Sequence, residues 1–349
     1  MALTFETARQ ILQRAILDQA FPAATIEVGD AHQPLWREAF GRLTFDPESS
    51  PARDDTIFDL ASLTKVVATT ALVMRQVERG ALGLDDPVER YIPAWRDEGA
   101  VVVTLRDLLA HCGGLPAHVP FFRQLAGRQA FEDAIVQTPR AYEPRTTSVY
   151  SDLGFMLLGF ILESIATLET QFDTMRLQMG GIQDLQFNPP ALWKSRTAPT
   201  RLDPWRERLL VGEVDDDNAW ALGGAAGHAG LFGTVASVGE CARHWLQVLE
   251  GRTGVFTQET ARTFVTRRSD IIGSSRALGW DTMLATSSCG TRMSSRAFGH
   301  VGFTGTSLWI DPERSAYVAL LTNRVHPSPD NQAIARVRPA VHDAVMDDL

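Results

Sequence analysis

FDLASLTKVVATT, residues 58–70, contains one of only two lysines in a 349-residue chain that otherwise uses arginine for every cation. Ser62 and Lys65 are three positions apart, so a helix starting near Ser62 places both side chains on one face. A serine hydroxyl is a weak nucleophile until a neighbouring base takes its proton. Lysine can be that base, because burial and nearby positive charge lower its pKa, whereas a guanidinium stays protonated in nearly every environment. The blander reading is a surface lysine behind a Ser62 N-cap. Against it, Leu60, Ala61, Leu63, Val66, Val67 and Ala68 make the segment almost wholly apolar, so Lys65 is either desolvated or snorkelling.

On either side of this segment the hydrophobic period changes. Ile11, Leu12, Ala15 and Ile16 form one stripe of an opening amphipathic helix over residues 5–17. Strand-like runs follow at 24–28 and 35–45, joined by a turn-rich stretch, and read as a hairpin. From residue 61 to about 269 the pattern is helix and loop, with helices expected at 66–77, 105–110 and 155–165. Strand character returns at 297–303, 307–310 and 316–322, and Ile334, Val337, Val341 and Val345 mark a closing helix. Strands and helices at both chain ends around a helical middle predict an α+β fold: an antiparallel sheet flanked by terminal helices, with a mostly helical insertion. Residues 1–349 are expected to form a single catalytic domain, its α/β part from 1–60 and 270–349 and its helical part from 61–269.

Composition narrows the function. A hydrophobic fraction of 44% supports a packed core, and a net charge of −9 with scattered cations argues against nucleic-acid binding. No apolar run is long enough to span a membrane. Charges throughout the first thirty residues leave no signal-peptide core, so a cytoplasmic setting is expected. Cys112, Cys241 and Cys289 give neither a disulfide framework nor a zinc pattern.

With three further stretches in order, VTLRDLLAHCGGLP at 103–116, YSDLGF at 150–155 and GHVGFTGTSLWIDPE at 299–313, the chain resembles the serine β-lactamase and penicillin-binding-protein superfamily. The nearest part is the branch of class C β-lactamases, D-alanyl-D-alanine carboxypeptidases and related esterases. The resemblance implies Ser62 as nucleophile, Lys65 and Tyr150 as its proton-transfer partners, and the amides of Ser62 and Phe303 as an oxyanion hole. Gly302 is expected to let its strand lie against the acyl group. The family triplet K-T-G is His300-Val301-Gly302 here, and Asp152 stands where Asn is frequent. Val301 cannot help to hold a substrate carboxylate, a neutral His300 does so poorly, and Asp152 adds an anion nearby.

These departures favour a neutral ester or amide, hence a carboxylesterase-like hydrolase without metal or cofactor. The alternatives are a β-lactamase or D-alanyl-D-alanine carboxypeptidase or D-aminopeptidase, and a non-catalytic ligand-binding relative, which would have no need for Ser62, Lys65 and Tyr150 together. The expected partner is a small ester or amide; oligomeric state has no code in the sequence. His111 and His118 are expected to be structural, and Asp215-Asp216-Asp217 to form a solvated acidic turn. The glycine-rich stretch 212–234, with His228, is expected to be a loop near the entrance of the site.

Overall fold

The computed structural model describes residues 4–96 and 101–349. Its centre is a six-stranded antiparallel sheet in the order Pro34–Gly41, Ala23–Asp30, Ala316–Thr322, Ser307–Asp311, Phe298–Val301, Asp281–Thr282. The two chain ends meet at its middle, where Ala24 pairs with Thr322 and Asp30 with Ala316. Side chains alternate across it as strand geometry requires. Ile26, Val28, Val318 and Leu320 face the terminal helices Glu6–Leu17 and Ile334–Asp348, while Tyr317, Ala319 and Leu321 face the opposite layer.

That opposite layer includes the helix Val235–Leu249, which packs on the sheet although it lies within 61–269. Glu27, fully buried on this face, accepts from Arg37 (2.6 Å), Arg243 (2.7 Å) and the Tyr317 hydroxyl (2.5 Å). A buried carboxylate is tolerated only with such partners, and Arg243 thereby ties the helix to the sheet.

The remainder surrounds the helix Asp152–Glu163, whose residues 153–162 are all buried, as its nearly continuous apolar sequence demands. A three-stranded sheet of Phe58–Asp59, Leu231–Gly233 and Leu185–Phe187, absent from the sequence reading, holds the segment before Ser62 in place. Several expected elements change their bounds. The second strand stops at Gly41, whose φ of +76° turns the chain and where a Cβ would lie 2.1 Å from the Pro22 carbonyl oxygen. The helix after Ser62 is π-helical over Lys65–Thr70 and α-helical only over Ala71–Glu78. The helix expected at 155–165 spans Asp152–Glu163, opened by the Ser151 side chain accepting from the Gly154 amide.

Candidate active site

Ser62 sits on a turn between the strand Phe58–Asp59 and the π-helical coil, and Ala61 before it has a left-handed φ of 46°. Opposite lies the tight turn after the strand Phe298–Val301. The hydroxyl of Thr304 donates to the Asp59 carbonyl (2.8 Å), and that of Thr306 to the Leu60 carbonyl (3.0 Å), docking one segment on the other. At Gly302 a Cβ would lie 2.0 Å from Thr306 Oγ1 and 2.6 Å from the Leu60 carbonyl oxygen. Glycine is therefore required for this close approach, whereas the sequence reading had explained it by room for an acyl group. Among the described residues, neither the Ser62 nor the Phe303 amide donates to an acceptor, which leaves both available to a ligand.

Lys65 is fully buried, and its ammonium donates to Ser62 Oγ (3.0 Å), Asp152 Oδ1 (2.8 Å) and the His228 carbonyl (3.0 Å). All three of its protons are thus engaged. Burial alone would lower its pKa, but the charge of Asp152, with Tyr150 next, raises it above the ordinary lysine value. The sequence reading expected burial to lower this pKa; instead Asp152 raises it, so Lys65 holds its proton at rest, and Asp152 neutralises it instead of standing as a free anion. Asp152 is buried, which on its own favours the acid form, yet Lys65 and His118 hold it well below the usual carboxylate range.

Tyr150 immediately precedes the Ser151 cap, so the helix start fixes where its ring points. The ring lies between His111 (centroids 4.7 Å apart) and His300 (5.6 Å), with Lys65 Nζ 4.9 Å and the Arg276 guanidinium 5.2 Å from its centroid. Its hydroxyl is buried and makes no close hydrogen bond among the described residues, with Lys65 and Ser62 as the groups it faces. Burial raises its pKa despite the opposing effect of Lys65. His300 Nδ1 lies 2.8 Å from the Val301 carbonyl oxygen, so that nitrogen carries the proton and Nε2 is left as a bare acceptor. Burial, then the charges of Arg276 and Lys65, keep His300 neutral.

The histidines the sequence reading set aside divide. His111 is structural as expected: its Nδ1 accepts from the Ser151 amide (3.1 Å), and its ring backs Tyr150. His118 is not. It lines the cavity beside Ser62 with Nδ1 3.4 Å from Asp152 Oδ2, and that bond raises its pKa. The stretch 212–234 passes beneath Lys65, with Gly227 packed against Gly159 and accepting from the Thr69 hydroxyl (2.6 Å). The supposed solvated turn is also corrected. Asp215 is buried, Asp216 meets His228 Nε2 at 2.9 Å, and Asp217 pairs with Arg201 (2.7 Å) and Arg206 (3.0 Å).

Three residues that the sequence reading missed complete the site. Arg276, Arg324 and Arg338 line a cavity of about 320 Å³ together with Ser62, Tyr150 and His300. None of the three forms an ion pair among the described residues, and Asp281 is the only carboxylate on the wall. Arg338, 8% exposed, spends one nitrogen on the Gly302 and Thr306 carbonyls and leaves Nε without a partner. Burial, with Arg324 nearby, pushes it down to about 9, the signature of a cation lacking its counter-ion.

No single helix among the described residues is long and apolar enough to cross a membrane. A curated relative from Escherichia coli (strain K12), described as a putative D-alanyl-D-alanine carboxypeptidase, is 30% identical over 90% of this chain and 82% of its own. Another of the same description, from Salmonella gallinarum, is 31% identical over 81% of this chain and 73% of its own. Among solved structures, EstCE1, a hydrolase with promiscuous acyltransferase activity, superposes with a TM-score of 0.77 at 21% identity, over 98% of each chain. A class C β-lactamase from Rhodobacter sphaeroides gives 0.77 at 20% identity over 98% and 99%. The Beta-lactamase family model matches residues 6–342, and with the serine, lysine and tyrosine brought together in this fold, the chain belongs to the β-lactamase family of serine hydrolases.

Proposed function

We propose that the chain hydrolyses an amide or ester that carries a carboxylate on its leaving group, as a D-alanyl peptide does, through an acyl-enzyme on Ser62. The observation that carries this is the wall of Arg276, Arg324 and Arg338, cations without carboxylate partners beside the nucleophile. They supply what His300 and Val301 withhold, and a guanidinium matches a carboxylate in both charge and geometry. The description of the curated relatives agrees.

In this reading the resting site holds one proton too many. Lys65 is an ammonium and Tyr150 a phenol, so the pair must shed one proton before either can take that of Ser62. Ser62 Oγ then attacks, the tetrahedral oxyanion rests on the Ser62 and Phe303 amides, and Tyr150 protonates the leaving group. Water enters by the same route and releases the acid. The test compares an acyl-D-alanyl-D-alanine peptide with its C-terminal amide in the wild type and in Arg276→Ala. The wild type should prefer the free carboxylate by about ten- to a hundredfold in kcat/KM, the range of one lost charge-assisted bond, and the variant should lose most of that preference. Equal rates on acid and amide would remove the carboxylate from the reading.

A second reading, a neutral-ester hydrolase, is favoured by Val301, which offers no hydroxyl, and by the 51% exposed Phe303 side chain between the two cavities that meet at Ser62. The same acid–amide comparison separates the two, because a neutral-ester hydrolase would not favour the acid.

A further inference from the structure

The Phe303 amide, one of the two that receive the oxyanion in the reading above, shares its peptide group with the Gly302 carbonyl. A trans peptide directs its N–H and its C=O to opposite sides, so what binds that carbonyl acts on the back of the oxyanion donor. Arg338 binds it: its Nη2 donates to the Gly302 carbonyl at 2.7 Å and to the Thr306 carbonyl at 2.9 Å. One peptide further on, the Phe303 carbonyl accepts from Arg324 Nε (2.8 Å), whose guanidinium covers the Phe303 ring 4.5 Å from its centroid.

The turn does not depend on Arg338 for its shape. Its Gly302 amide donates to the Thr306 carbonyl (2.8 Å) and its Gly305 amide to the Gly302 carbonyl (3.1 Å). The hydroxyls of Thr304 and Thr306 fasten it to Asp59 and Leu60. Arg338 nevertheless places a buried guanidinium behind the turn, with Nε unpartnered and only Arg324, another cation, acting on its charge. A buried cation without a counter-ion is destabilising, so the resting fold gains nothing from this charge that a neutral donor would not give.

The reacting state does gain from it. A charged donor on the carbonyl oxygen increases the double-bond character of the peptide C–N bond and draws electron density from nitrogen, which makes the N–H on the other side a stronger donor. When Ser62 Oγ bonds to the acyl carbon, the carbonyl electron pair moves onto oxygen, and that oxyanion is the negative charge the guanidinium otherwise lacks. We infer that Arg338 is a positioning residue for the tetrahedral intermediate, acting on the oxyanion through the Gly302–Phe303 peptide. The inference rests on the acyl-enzyme reading above and gives Arg338 a duty that is the same for charged and neutral substrates.

The test uses p-nitrophenyl acetate, which is uncharged, so that holding a substrate carboxylate does not enter. Arg338→Gln keeps a donor and removes the charge. Its kcat and kcat/KM should both fall at least about tenfold, short of the hundred- to thousandfold that follows loss of a whole oxyanion donor. Its melting temperature should stay level or rise, because an uncompensated charge has left the interior. Arg338→Lys, which keeps the charge, should retain more of kcat than Arg338→Gln. An unchanged kcat in Arg338→Gln, or a fall in kcat and melting temperature together, would overturn the inference, the second outcome being that of a purely structural tie. If Arg338→Gln fails to fold, Arg338→Met is compared with the wild type in the same way, and collapse of both variants overturns the inference too. Wild-type rates in Ser62→Ala would instead remove the acyl-enzyme reading itself, and this inference with it.

Discussion

Replacing Asp152 with Asn removes a charge 2.8 Å from the Lys65 ammonium and little else, because the amide keeps an oxygen that can accept the same hydrogen bond. A bare Coulomb term at that distance is about 6 kcal/mol at an effective dielectric near 20. The retained hydrogen bond and the share of the Asp152 charge taken by His118 reduce it, and the net worth of a hydrogen bond to a charged group, about 1.5–3 kcal/mol, is the better measure of its upper range. At 1.36 kcal/mol per unit, the Lys65–Tyr150 pair should lose its first proton about one to two pH units lower. Asp152→Asn should therefore move the acid limb of the kcat/KM profile down by that amount and raise activity at pH values below the wild-type limb. The assay is a profile from about pH 5 to 10 on one substrate that does not itself titrate. An acid limb that stays put or moves up would refute the view that Asp152 keeps Lys65 loaded with its proton.

Stability should move in the opposite sense. The depressed Asp152 pKa contributes stability that is present above about pH 4 and lost as pH falls through its folded value. The raised Lys65 pKa contributes stability that is present below the ordinary lysine value and lost as pH rises through its folded one. The variant's melting temperature should thus lie below that of the wild type across the whole neutral range, with the gap closing only at the extremes.

Lys65→Arg should keep less than about a tenth of kcat/KM, a loss above about 1.4 kcal/mol, because a guanidinium keeps the charge but cannot give up its proton; near-normal rates would make Lys65 purely electrostatic. Gly302→Ala forces a Cβ against Thr306 Oγ1 and the Leu60 carbonyl, so thermal denaturation should show a loss of about 1–3 kcal/mol, and kcat should fall as the Phe303 amide is displaced.

How much of this the sequence discloses depends on the range of the interactions involved. Ser62 and Lys65 are legible because helix geometry brings them together, whereas Tyr150 and Asp152 are legible only through the resemblance of YSDLGF to a family motif. The central strands are legible as short apolar runs bounded by turn residues, while Asp281–Thr282 is too short to register and a π-helical coil at Lys65–Thr70 has no compositional mark. Arg276, Arg324 and Arg338 come from a loop, the turn after the strand Ala316–Thr322 and a helix, so no spacing joins them, and any of the chain's many arginines could have stood there. Asp215–Asp217 looked solvated because Arg201, Arg206 and His228, which bury them, are not their sequence neighbours. In each case the missing information is a long-range pairing, which only the folded chain contains.

The threonine pegs between 304–306 and 59–60 have a temporal consequence. They join the two halves of the site across 245 and 246 positions of sequence. A ribosome that has delivered residue 300 has already made Ser62, Lys65 and Tyr150, but not the Phe303 amide or the strands Ser307–Asp311 and Ala316–Thr322 that complete the sheet. If the Phe303 amide is half of the oxyanion hole, as proposed, the nascent chain carries its nucleophile before it has the means to stabilise a tetrahedral intermediate. On that reading, activity waits for the late strands to join the early ones.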